Sequence, residues 1–164
     1  MQKRPTFADI FPLPLEARRL EVFLGNWKVK GTLTFLGKRF EVKGVANFSS
    51  VATGWGILVT AKLEIQSLGT YEEADLLAYN RSEKLYHFFA VTNTAAAYDH
   101  KGKWLNDDTI SFLHEGLQDG KSYKEELEIK VINENQLAIK EKDFLEEQVI
   151  TTMDVFLERL QNKK

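Results

Sequence analysis

Gly25-Asn-Trp-Lys-Val-Lys-Gly-Thr-Leu-Thr-Phe35, followed after Leu36-Gly37 by Lys38-Arg-Phe-Glu-Val-Lys-Gly-Val-Ala-Asn-Phe48, carries the clearest structural pattern in the chain. Trp27, Val29, Leu33 and Phe35 alternate with Lys28, Lys30, Thr32 and Thr34. Phe40, Val42, Ala46 and Phe48 then alternate with Arg39, Glu41, Lys43 and Asn47. A period of two marks half-buried strands. Gly37-Lys38 can turn the chain between them, so the two runs form a long hairpin.

Upstream, Leu15, Leu20, Phe23 and Leu24 with charges between them suit a short amphipathic helix, opened by Pro14 and stopped by Gly25. Residues 1–14 read as an N-terminal extension to a single domain over residues 15–164. Downstream, Ile57, Val59, Ala61, Leu63 and Ile65 repeat the alternation, and Gly69 separates them from a strand over 70–79. Further strands are expected over 85–92, 95–104, 109–114, 122–131 and 136–142. The polar clusters Asn106-Asp-Asp108, Gln118-Asp-Gly120 and Asn133-Glu-Asn135 turn the chain between them. The stretch Gln148 to Arg159 fits either a helical face or a strand and is read as a strand. The expected fold is all-β, a closed antiparallel up-and-down barrel of about 8–10 strands with a short N-terminal capping helix. An open sandwich is the rival.

Composition narrows the functional classes. The chain has 164 residues, 22 Lys and Arg against 24 Asp and Glu, and a net charge of −2, a poor footprint for nucleic acid. No cysteine is present, which removes disulfides, thiolate metal sites and a cysteine nucleophile. No apolar run is long enough for a membrane span and no export signal is recognisable, so a cytoplasmic protein is expected.

Leu20-Glu-Val-Phe-Leu-Gly-Asn-Trp27, a short helix running into Gly-x-Trp, resembles the opening of the lipocalins and their calycin relatives. The resemblance implies that Trp27 plugs the closed end of the barrel against the helix. Tyr79-Asn-Arg-Ser-Glu-Lys-Leu-Tyr86, then Phe88, Val91 and Tyr98-Asp-His-Lys-Gly-Lys-Trp104, are similar in order and spacing to an uncharacterised bacterial branch of single-domain lipocalin-like barrels, over residues 15 to 159. Nitrobindin-like haem barrels are a ten-strand relative. That resemblance implies a late haem-ligating histidine, whereas the histidines here are His87, His100 and His114, so no haem or other cofactor is expected.

His87 alternates with Leu85, Phe89 and Val91, and His114 with Ile110 and Phe112, so both histidines are expected to face inward. Joined by Glu73, Asp75 or Glu125 they would make a metal site. The spacing matches no short ligand motif, and no metal ligand is assigned. The acidic clusters Glu72-Glu73-x-Asp75, Glu125-Glu126-x-Glu128 and Glu146-Glu147 read as solvated outer faces. Trp55, flanked by glycines, reads as a corner or rim residue. No nucleophile elbow or phosphate loop is present, so no catalytic residue is assigned.

The aromatic content, 11 Phe, 5 Tyr and 3 Trp, suits a barrel whose interior takes a small, mostly apolar molecule such as a lipid or fatty acid. The expected ligand-binding residues are Trp27, Phe35, Phe48, His87, Phe89, Tyr98, Phe112 and His114. The alternatives are a barrel enzyme using His87 or His114 in acid–base chemistry, and a filled barrel acting as a homodimer.

Overall fold

The computed structural model describes residues 4–161; residues 1–3 and 162–164, the outer ends of the expected extension and domain, lie outside it. After a one-turn helix α1 (Phe7–Ile10), helix α2 (Leu15–Arg18) continues as a 3-10 turn over Arg19–Phe23. Ten strands follow: β1 (Gly25–Phe35), β2 (Lys38–Val51), β3 (Gly56–Ile65), β4 (Gly69–Asn80), β5 (Leu85–Thr92), β6 (Ala97–Trp104), β7 (Thr109–Gln118), β8 (Lys121–Asn133), β9 (Gln136–Leu145) and β10 (Gln148–Arg159). Each pairs antiparallel with its sequence neighbours, and β1 pairs with β10 from Trp27↔Arg159 to Phe35↔Thr151, closing the barrel. Closure leaves no free sheet edge. Gln148 to Arg159 is a strand, and β7 to β9 run several residues beyond their expected ends.

Tight turns hold the meander. Leu36-Gly37 and Asp119-Gly120 both have positive φ at their two central residues, the conformation that matches strand twist in a two-residue hairpin. Glu146 and Glu147 adopt the same conformation between β9 and β10 without a glycine.

One end of the barrel is filled. Trp27 is fully buried and its Nε1 donates to the Phe23 carbonyl at 2.9 Å. The Arg159 guanidinium lies 4.1 Å from the Trp27 ring centroid, and that side chain also donates to the Val22 and Leu24 carbonyls. Phe23 stacks on Trp104 at 5.8 Å, and the Arg19 guanidinium lies 3.9 Å from the Trp104 ring centroid. Leu20, Phe23, Phe48, Ile57, Leu77, Tyr86, Ile110, Ile129, Leu137 and Leu157 complete this plug. Its apolar burial and cation–π contacts anchor the helical cap to the barrel.

Candidate functional site

Away from the plug, the inner wall changes character. The inward alternation that places Leu77 in the core also turns Tyr71, Glu73 and Asp75 of β4 inward. On β8 it carries Tyr123 and Glu125 with Leu127 and Ile129, and on β9 it carries Glu141 and Asp143 with Leu137 and Ile139. On β6 it turns in Tyr98 and His100, and on β7 His114. Strand register aligns His114, Glu125 and Asp143 as direct cross-strand partners over β7, β8 and β9.

Aromatic groups gather around these acids. Tyr98 stacks on His114 with centroids 4.4 Å apart, and Tyr123 lies 5.2 Å from Tyr98. The Tyr123 hydroxyl donates to Glu125 at 3.0 Å and the Tyr71 hydroxyl to Glu73 at 2.9 Å. His100 is fully buried. Its Nδ1 donates to the Phe88 carbonyl at 3.0 Å, which leaves Nε2 facing Glu125 Oε1 at 2.9 Å. Glu125, Glu141 and Asp143 each offer a carboxylate oxygen within 4.8 Å of the others.

The electrostatic consequence is a concentration of like charge. Burial, reinforced by Glu73, pushes the Asp75 carboxyl up to about 9; the Val91 backbone pulls the other way without completing a hydrogen bond. Burial and then the Glu125 charge push Asp143 up to about 6. Burial likewise raises Glu73 and Glu141. Burial opposes the charge on His100, but its contacts with Glu125 outweigh burial and raise its pKa. Among the described residues, no lysine or arginine forms an ion pair with Glu73, Asp75, Glu125, Glu141 or Asp143.

Several sequence expectations are corrected here. His87 points outward, with Nδ1 2.9 Å from Asp99 and Nε2 3.5 Å from Glu83. Both faces of β5 are rich in apolar residues, and Tyr86, Phe88 and Ala90 win the interior. Phe89 therefore joins Leu58 and Leu76 in a cross-strand row on the outer wall, 45 % exposed. Phe35 is 42 % exposed where β1 ends. Trp27, Phe48 and Phe112 are buried in the apolar core, while Tyr98 and His114 stack beside the acids. Glu73, Asp75 and Glu125 are not a solvated face. Their neighbours Glu72 and Glu126 are, pairing with Lys62 and Lys124. Trp55 shares a concavity with Phe7 and Phe11, beside the turn that follows β2 at the plugged end.

Sequence reasoning did not single out His100, Glu141 or Asp143 as site residues. The signal was available: Leu137, Ile139, Glu141 and Asp143 share one parity, as do His100 and Trp104. A groove of about 580 Å³ lined by Val45, Ala46, Asn47, Lys62, Glu72 and Glu73 among others reaches Glu73 but none of the other clustered acids.

No family model matches the chain. No curated protein matches it either. Among solved structures, it is similar to the S-type phycobiliprotein lyase CPES from Guillardia theta, with 13 % identity, a TM-score of 0.61, and coverage of 97 % of this chain and 100 % of that one. It is also similar to a redesigned β-barrel, mFAP0, bound to DFHBI, at 12 % identity and a TM-score of 0.49, over 84 % of this chain and 99 % of that one. The likeness to the lyase is one of fold, which in this chain is a closed antiparallel barrel.

Proposed function

We propose that the protein binds a small molecule inside the barrel, at the half of the lumen lined by Tyr98, His114 and Tyr123. The observation that carries this reading is the division of the interior. An apolar plug fills one end, while toward the other the half-buried Tyr98 and His114 stack beside the buried Tyr123, whose hydroxyl donates to Glu125. Among the described residues these carboxylates have His100 alone as a cationic partner, and burying the others costs free energy that only a ligand or a proton offsets.

The same residues refine the ligand class. Stacked phenol and imidazole rings suit a flat or unsaturated, mostly apolar body. Glu73, Glu125 and Asp143 favour a head that donates hydrogen bonds or carries positive charge. A free fatty acid would bring its carboxylate toward like charges, so that member of the lipid class is disfavoured. The lyase from Guillardia theta supports the container architecture alone, and the ligand is argued from the residues of this chain.

The test is native mass spectrometry of protein purified from its own host, followed by denaturing extraction. A uniform, stoichiometric adduct that is lost in Tyr98→Ala is the expected result. A clean apo mass in the native protein, with no saturable uptake of flat cationic or neutral dyes, would refute the reading.

A further inference from the structure

His100 carries a feature that small-molecule binding does not use. Its Nδ1 proton is committed to the Phe88 carbonyl, which fixes the tautomer and ring orientation. This is the outer contact by which proteins hold a metal-ligating imidazole. The other nitrogen, Nε2, is buried and makes no hydrogen bond of normal geometry, although Glu125 Oε1 lies only 2.9 Å away. Two donors at that separation sit at neighbouring corners of an octahedron with bonds of about 2.1 Å.

Glu125 also belongs to the group with Glu141 and Asp143, whose carboxylate oxygens lie within 4.8 Å of one another. A second, separate observation points to a missing partner. Asp75, only 1 % exposed, has neither carboxylate oxygen hydrogen-bonded, and it feels the charges of Glu73 and Glu125. Asp143 Oδ1 is likewise buried without a partner.

We propose that Glu125, Glu141 and Asp143 hold a single divalent first-row transition ion, with His100 Nε2, 2.9 Å from Glu125 Oε1, turning in as the nitrogen ligand and Asp75 standing beside them as a further acid that the ion would help to ionise. One imidazole nitrogen with three carboxylates favours manganese, iron or zinc over calcium and magnesium, whose preferred ligands are all oxygen. A dication compensates carboxylates that no lysine or arginine reaches. It takes Glu125 and Asp143 from the proposed small molecule and leaves Tyr98, His114 and Glu73 to it.

The experiment strips the full chain with a chelator and titrates it with Mn²⁺, following free ion by electron paramagnetic resonance, and with Co²⁺, following visible absorption. The expected result is one saturable site for each ion below about 1 mM, weakened at least about 10-fold in both Glu141→Gln and Asp143→Asn. His100→Gln is expected to change the Co²⁺ spectrum, because nitrogen leaves the coordination sphere. Circular dichroism of each variant checks the fold. Removing one of several repelling carboxylates should leave it intact, and Asp75→Asn serves as the second variant. Absence of saturable binding by about 1 mM, or binding unchanged in Glu141→Gln and Asp143→Asn, overturns the proposal. No small molecule enters this titration, so its failure leaves the binding-barrel reading standing, and an empty native mass spectrum leaves the metal site standing.

Discussion

His100 and Glu125 form a buried contact between β6 and β8, 2.9 Å across, with the imidazole anchored from behind by the Phe88 carbonyl. The two strands are not neighbours; β7 lies between them. The contact therefore ties opposite sides of β7 through the lumen. Breaking a buried pair strands the surviving charge, at a cost of about 3 kcal/mol. His100→Ala should lower stability by that order in the metal-free protein at pH 6, measured by urea unfolding. The effect should be much smaller in a Glu125→Gln background, where the partner charge is already gone.

The same pair sets a direction with pH. His100 has a raised folded pKa, so its contribution is fully present below the unfolded value of about 6.5 and is lost as pH rises through the folded value. A histidine titration by NMR should place the His100 midpoint above 6.5, and Glu125→Gln should bring it down. A midpoint unmoved by Glu125→Gln would contradict the pairing.

His87 supplies the contrast. Its contacts with Asp99 and Glu83 lie on the outer wall, among partly exposed side chains. Pairs of that kind contribute about 1 kcal/mol or less. His87→Ala should shift the thermal midpoint little and leave any native adduct in place, whereas His114→Ala, which removes the ring stacked on Tyr98, should weaken it.

The fold was legible because both strands of the first hairpin put aromatic and branched residues on one face and charges on the other. The site was less legible for two physical reasons. On β5, Leu85, Phe89 and Val91 compete with Tyr86, Phe88 and Ala90, and alternation cannot rank two apolar faces. That ambiguity is how His87 and Phe89 were expected inside. On β4, β8 and β9, Glu73, Asp75, Glu125, Glu141 and Asp143 occupy inward positions, while carboxylates ordinarily signal solvent. Only the parity shared with Leu77, Leu127, Leu137 and Ile139 marks them as interior, and parity carries no hint that they converge across the lumen.

The turn at Glu146-Glu147 offers a stabilising change. Both residues have positive φ, which costs non-glycine residues conformational energy that Asn-Gly avoids in the same two-residue turn. The double change Glu146→Asn with Glu147→Gly gives up only the exposed Lys121–Glu146 pair. It should raise stability by about 1 kcal/mol, read as a higher denaturant midpoint at unchanged slope.

Asp75 gives the prediction with the least intuitive sign. An acidic group whose folded pKa is raised, here to about 9 from 3.8, favours the folded state most when protonated. Its contribution is complete below pH 3.8 and is progressively lost as pH rises toward 9. Asp75→Asn keeps the shape of the protonated acid and cannot ionise. In metal-free protein it should therefore melt several degrees higher than the parent at pH 8, with the gap closing toward pH 4. Thermal scans at pH 4, 6 and 8 measure the trend. A variant less stable than the parent at pH 8 would mean that the Asp75 carboxylate finds a compensating partner in the folded chain, and that the interior charge is not in excess.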